Sequence, residues 1–158
     1  VKRLKAKDVM TRKVLYALAD WSIERLTEFL VENSISGAPV VSDQGKPVGV
    51  VSLTDIALQE TSPMRDLQSQ IPHDYYLHGL ECQYSREEIS SFSIRGEPVV
   101  TVSNIMTPTV YKVSEDATVQ EVADTMIKNR IHRIFVTRRG ELVGVIAALD
   151  MLKVIRDM

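Results

Sequence analysis

Apolar residues recur at helical spacing at Ile23, Leu26, Phe29 and Leu30, so Ser22 to Asn33 reads as an amphipathic helix. Asp20 and Ser22 offer side-chain oxygens to the free amides of its first turn. A short apolar segment, Val14 to Leu18, comes before it, and Ser36-Gly37 breaks it. Ala38-Pro39-Val40-Val41 and Pro47 to Ser52 then read as the strands of a hairpin, with Asp43-Gln44-Gly45 as its turn. Thr54 or Asp55 is expected to cap a second helix. The same order returns later in the chain. Val110 to Val113 is a short apolar segment, and Thr118 and Glu121 stand at capping-box spacing. Val119, Val122, Ala123, Met126 and Ile127 trace one helical face. Ile134 to Thr137 and Leu142 to Ala147 read as strands around Arg139-Gly140, and Asp150 opens a last helix carrying Met151, Leu152, Val154 and Ile155.

The recurrence is an internal repeat held in register. Val9-Met10-Thr11 matches Ile105-Met106-Thr107, then Val14 matches Val110, Asp20 Asp116, Asn33 Asn129, Ile35 Ile131 and Val40 Val136. After a loop shortened by one residue, Gly45 matches Gly140, Val48-Gly49-Val50 matches Val143-Gly144-Val145, and Asp55 matches Asp150. A repeat fixes architecture before any single residue is interpreted. The expected organisation is a first repeat over 8–58, an insert over 59–103 and a second repeat over 104–158. Two such copies are expected to pack about a pseudo-two-fold axis, with clefts lined by both. The insert carries Pro63 and Pro72 and reads as mostly irregular through Tyr76. Ser85 and Glu88 are spaced to box a short helix into Ile89, and Glu97 to Val102 reads as a strand. An insert of this length in a compact module is uncommon without a role.

Composition narrows the class. The 158 residues, 44% hydrophobic and 25% charged, suffice for a real core and are ordinary for a soluble globular protein. A net charge of −2 without a long basic run argues against nucleic acid, although Arg130, Arg133, Arg138 and Arg139 form a local basic group. The apolar stretches are too short to span a bilayer, and no charged-then-apolar leader opens the chain, so neither a membrane nor secretion is expected. The lone Cys82 has no internal disulfide partner, which fits a cytoplasmic setting.

At this point the residues carry a family resemblance. The starts Val9-Met10-Thr11 and Ile105-Met106-Thr107-Pro108, the turns Ile35-Ser36-Gly37-Ala38-Pro39-Val40-Val41 and Ile131-His132-Arg133, and the ends Gly49-Val50-Val51-Ser52-Leu53-Thr54-Asp55 and Gly144-Val145-Ile146-Ala147-Ala148-Leu149-Asp150 resemble a tandem pair of CBS domains, a Bateman module. The resemblance implies an α+β fold of two pseudo-symmetric units, each strand-helix-hairpin-helix, packed through their sheets. It implies a regulatory module and no enzyme. Its ligand would be an adenosine-containing molecule, AMP, ADP or ATP, bound in a cleft between repeats, with no cofactor required. The alternatives are a structural, dimerising pair with empty clefts and a sensor of an S-adenosylmethionine-type ligand. The resemblance also implies a homodimer and an effector protein downstream. Ile56, Ala57, Leu152, Ile155 and Met158 are the candidate dimer face.

By the same resemblance, one cleft would draw Ser52, Thr54 and Asp55 from the first repeat and His132, Arg133 and Lys153 from the second. The chemistry suits this division. A carboxylate accepts both ribose hydroxyls, hydroxyls and helix-start amides suit a phosphate, and a guanidinium with an ammonium neutralises it. Val50, Val110, Tyr111, Ile131 and Phe135 would line the adenine slot, Phe135 departing from the family's usual proline. A second, weaker cleft would take Val14, Leu15, Ile35, Ser36, Gly37 and Asp150. It keeps the carboxylate but has Ala147 and Leu149 where the first has Ser52 and Thr54, and no cation at Ser36-Gly37. Each residue also has a plainer reading. Asp55 and Asp150 suit helix caps, His132-Arg133 a solvated corner, and Lys153 the C-terminal end of a helix dipole. His73 and His78 bracket Asp74 and two tyrosines, but at no compact zinc spacing, so no metal is expected. Glycine-rich phosphate loops, nucleophile elbows and paired catalytic carboxylates are missing from the sequence.

Overall fold

In each half of the chain a short strand runs parallel to the first strand of an antiparallel hairpin, giving two three-stranded sheets of identical order among the described residues. The structure is a computed structural model, and it describes residues 3–58, 72–77, 87 and 100–158. In chain order the elements are α1 (Ala6–Val9), β1 (Ala17–Leu18), α2 (Ile23–Glu32), β2 (Gly37–Val41), β3 (Pro47–Ser52), α3 (Leu53–Leu58), α4 (Asp74–Leu77), α5 (Val102–Ile105), β4 (Lys112–Ser114), α6 (Val119–Asn129), β5 (Arg133–Arg138), β6 (Glu141–Ala147) and α7 (Ala148–Arg156). They fall into two compact units, Leu15–Thr109 and Val1–Val14 with Val110–Met158.

Local chemistry explains most boundaries. Ser22 caps α2, its hydroxyl oxygen accepting the Arg25 N–H at 3.1 Å. Thr118 and Glu121 close a full capping box on α6. Thr118 N–H donates to the Glu121 carboxylate at 2.8 Å, and Glu121 N–H to the Thr118 hydroxyl at 3.2 Å. The β5–β6 turn places Arg139 and Gly140 both at positive φ, 53° and 84°, the left-handed geometry that a tight hairpin demands. The apolar face of α2 is buried through Ile23, Leu26 and Leu30, which pack with Ala38, Val40, Val51, Leu53 and Ile56 into one core. Ile56 therefore belongs to this core and is removed from the candidate dimer face. Its carbon surface is spent inside the unit.

The two lead-in segments cross over. In the Leu15–Thr109 unit, the start of the second repeat lies on the first repeat's sheet. Val102 N–H donates to Trp21 O and Ser103 N–H to Ala19 O, each at 2.9 Å, and Thr107 and Val50 exchange both backbone bonds at 2.9 Å. In the other unit, the N-terminal segment lies on the second repeat. Ala6 N–H donates to Ala117 O at 2.7 Å, and Thr11 pairs with Val145 through bonds of 2.9 and 3.1 Å. The hairpin glycines make room for this. A Cβ on Gly49 would stand 2.6 Å from the Thr107 carbonyl oxygen, and one on Gly144 would overlap the Met10 side chain.

Several expectations are corrected. Val102 begins a helical turn and ends no strand, because Thr101 and Asn104 close hydrogen bonds at that turn's start. Glu97 itself lies outside the described residues, as do Ser85, Glu88 and Ile89 of the expected boxed helix, together with His78 and Cys82. Of the segment through Tyr76 expected to be mostly irregular, residues 59–71 lie outside the described residues. Asp74–Leu77 forms a helical turn that buries Tyr75 and Tyr76. The second short strand is Lys112–Ser114, displaced toward the C-terminus from the apolar run Val110 to Val113, because its register is set by pairing with Phe135, Val136 and Thr137.

Candidate functional site

The chain turns from strand into helix at Ser52, and the turn is held by a reciprocal pair. Ser52 N–H donates to Asp55 Oδ2 at 2.9 Å, while Asp55 N–H reaches back to Ser52 Oγ at 3.4 Å. Ser52 is thus the cap and Asp55 the third residue of α3, so neither Thr54 nor Asp55 is the cap itself. The carboxylate is pulled into the protein by this geometry, leaving Asp55 only 7% exposed. Leu53 N–H donates to the Ser36 carbonyl at 2.9 Å, and Gly37 faces Ser52 across the hairpin. Val50, Ser52 and Asp55, with Ile35 and Gly37 from the other expected cleft, are all buried in this unit, while Thr54 and Ser36 are half-buried and Leu15 is exposed.

A residue that sequence reasoning left out of the site sits directly on that carboxylate. His73 Nε2 lies 2.7 Å from Asp55 Oδ2, and the two side chains are only 7% and 9% exposed. The ring's other nitrogen, Nδ1, is 3.0 Å from the Tyr75 N–H and 3.0 Å from Asp74 Oδ1. A neutral ring donates from Nε2 to Asp55 and accepts the Tyr75 amide at Nδ1. A protonated ring donates from both nitrogens, to Asp55 and Asp74. Burial is the largest influence and lowers the pKa of His73. The hydrogen bond to Asp55, the Asp55 charge and the Asp74 charge together outweigh it, so the pKa is raised. The turn carrying His73 is well seated. A Cβ placed on Gly37 would meet the Tyr75 ring at 3.5 Å, Tyr75 and Tyr76 meet edge to face with centroids 5.6 Å apart, and the Tyr76 hydroxyl donates to Thr109 O at 2.9 Å.

The second repeat builds the same corner with less. Ala148 N–H donates to the His132 carbonyl at 2.8 Å, and Ala147 N–H to Asp150 Oδ2 at 2.9 Å. Ala147 has no hydroxyl to return the bond, so this box works in one direction only. Asp150 opens no helix. Like Asp55, it is the third residue of its helix. Arg133 is buried at the start of β5 opposite Ala147, whereas its neighbour His132 is exposed. Phe135 is fully buried in mid-strand, and its N–H donates to the Tyr111 carbonyl at 3.0 Å. Ile131 is buried, and Val14, Val110 and Tyr111 are half-buried. Lys153 reaches Asp150 Oδ1 at 3.8 Å from an exposed position, an i,i+3 contact along α7.

Among the described residues no group of three or more His, Cys, Asp or Glu side chains is placed to hold a metal ion, and no helix is long and apolar enough to cross a membrane. The family model for the CBS domain matches residues 6–59 and 102–157. Uncharacterized protein MJ1426 of Methanocaldococcus jannaschii is 29% identical over 150 residues, covering 93% of this chain and 88% of that protein. The chain spans about a third of the length of two further relatives from that organism. Solved structures share the fold. The CBS domain pair of protein MJ0100 in complex with 5′-methylthioadenosine and S-adenosyl-L-methionine has a TM-score of 0.60 at 21% identity, covering 99% of this chain and 98% of that one. CBSX2 in complex with AMP has a TM-score of 0.63 at 20% identity, covering 98% of this chain and 97% of that one.

Proposed function

Because this chain belongs to the CBS-domain family and carries the domain twice, we propose that it is a regulatory module whose Asp55 carboxylate receives the ribose of an adenosine-containing ligand. The observation that carries this reading is the Ser52–Asp55 corner, a buried carboxylate fixed by its own capping bonds and already paired with a nitrogen donor. A carboxylate so oriented accepts a vicinal diol by charge-assisted hydrogen bonds. That CBSX2 holds AMP, and MJ0100 a thioadenosine and S-adenosylmethionine, supports adenosine as the common element of the ligand class. AMP, ADP and ATP are the leading members and an S-adenosylmethionine-type ligand is the alternative. Val50, Ser52 and Thr54, with Val110, Tyr111, Ile131, His132, Arg133, Phe135 and Lys153, make up the rest of the proposed site. Asp150, whose corner lacks the hydroxyl, makes the weaker one. The module signals by changing its conformation or its assembly, and it catalyses nothing itself.

Calorimetry with AMP, ADP, ATP, 5′-methylthioadenosine and S-adenosylmethionine tests the proposal. One strong site per chain is expected. No binding by any of the five to the wild type or to a His73→Ala variant leaves the second reading, a structural pair that dimerises. That reading draws on α7, where Leu149, Leu152 and Ile155 are exposed, with Met158 just beyond. A homodimer through this face is part of either reading.

A further inference from the structure

We infer that His73 is an internal occupant of the Asp55 site, a latch that any external ligand must displace from the carboxylate. The inference rests on the ribose reading of Asp55 and concerns how that site is regulated. Its basis is steric as much as electrostatic. With His73 at 2.7 Å from Oδ2 and the Asp55 side chain 9% exposed, a ribose hydroxyl has no approach to that oxygen until the imidazole leaves. The imidazole also imitates what it excludes, since an N–H donor stands where a hydroxyl donor would stand. The latch is held in place by its own turn. Tyr75 and Tyr76 are buried, the Tyr76 hydroxyl is tied to Thr109 O, and α4 packs against β3, the strand that ends at Ser52. The Tyr76 anchor does not run through the imidazole, so displacing the ring breaks its bonds to Asp55 and to the Tyr75 N–H and not that one.

The latch is also sensitive to protons. Among the described residues the charged groups reaching the ring are Asp55, from α3, and Asp74, from its own turn. Both are carboxylates and both favour the imidazolium, which burial opposes. The protonated ring binds Asp55 as an ion pair and the neutral ring only by a hydrogen bond, so the latch loosens as pH rises. Ligand affinity then rises with pH, because the apparent affinity scales with the fraction of molecules whose site is open.

The test uses adenosine as probe, since it carries no phosphate that titrates alongside the imidazole, and AMP in parallel. Wild type is expected to bind adenosine more tightly at pH 8 than at pH 6. His73→Ala is expected to bind about tenfold more tightly than wild type at pH 6, the scale of one charge-assisted hydrogen bond. His73→Gln, which keeps a donor but cannot titrate, is expected to bind with no pH slope. It serves the same purpose should His73→Ala fold poorly. If wild type binds and Asp55→Asn abolishes binding, while the His73 variants bind as wild type does at both pH values, the latch is overturned and the ribose site stands. If neither wild type nor His73→Ala binds adenosine or AMP, the ligand reading falls and the latch has nothing to exclude. Binding by His73→Ala alone upholds both.

Discussion

His73 and Asp55 lie 18 residues apart in sequence and 2.7 Å apart in space, joining the insert to the strand-helix corner of the first repeat. Their pairing sets a pH window for stability. The unfolded imidazole titrates near 6.5, and the folded value is raised above it, with burial opposing and the Asp55 bond and charge and the Asp74 charge prevailing. The contribution is therefore complete below about pH 6.5 and is lost as pH rises through the folded value. Unfolding free energies from urea titrations between pH 5.5 and 8.5 without ligand should fall for wild type relative to His73→Gln, by roughly 1 kcal/mol across the window. Parallel curves for the two proteins count against a raised value.

Asp55→Asn keeps the size of the side chain and the ability to accept the Ser52 amide, and removes the charge. Affinity for the adenosine ligand should fall at least tenfold, in keeping with the roughly 1.5–3 kcal/mol of a charge-assisted bond. The preference for ribose over 2′-deoxyribose should largely vanish. Asp150→Asn should leave that binding intact, and calorimetry on both variants decides which corner holds the ligand.

Gly49 and Gly144 are equivalent by repeat and unequal by surroundings. An alanine at Gly49 drives its methyl toward the Thr107 backbone oxygen 2.6 Å away, whereas at Gly144 it meets the flexible side chain of Met10. Gly49→Ala should cost about 1–3 kcal/mol, the usual range for overpacking, and Gly144→Ala less. Thermal melts of the two variants rank them directly.

The exposed apolar side chains of α7 predict assembly. Sedimentation should give a species near twice 17.8 kDa. Leu152→Glu places a charge in the middle of that stripe and should shift the protein to monomer without lowering its unfolding midpoint when dilute. A wild-type monomer at high micromolar concentration removes the dimer from the reading.

What the sequence disclosed follows from how far each interaction reaches. The Thr118–Glu121 box, the Ser22 cap and the Arg139-Gly140 turn are settled within three or four residues, and each was legible. Asp55 was legible as a candidate because the repeat shows its position twice, while its burial shows only in the fold. His73 was not. It belongs to a segment without periodicity or a repeat partner, and its only local signal, a histidine beside an aspartate and two tyrosines, suggests a metal before it suggests a neighbouring carboxylate. Ile56 was misassigned for a related reason. On a helix of six residues, periodicity does not separate an inward face from an outward one, and the partners Leu26, Leu30 and Val51 are needed to decide.

The crossing of the lead-in segments makes each Met-Thr signature a structural possession of the opposite repeat. Met10 fills the space over Gly144, and the Thr107–Pro108 backbone and the Met106 sulfur fill the space over Gly49. The tandem chain is in this sense an internalised domain swap, with two borrowed covers in one polypeptide. A single repeat cut out at its sequence boundaries would carry a cover it cannot use and lack the one it needs. Severed within the insert, the two halves should recover their native far-ultraviolet spectrum and cooperative unfolding only when mixed, as complementing fragments.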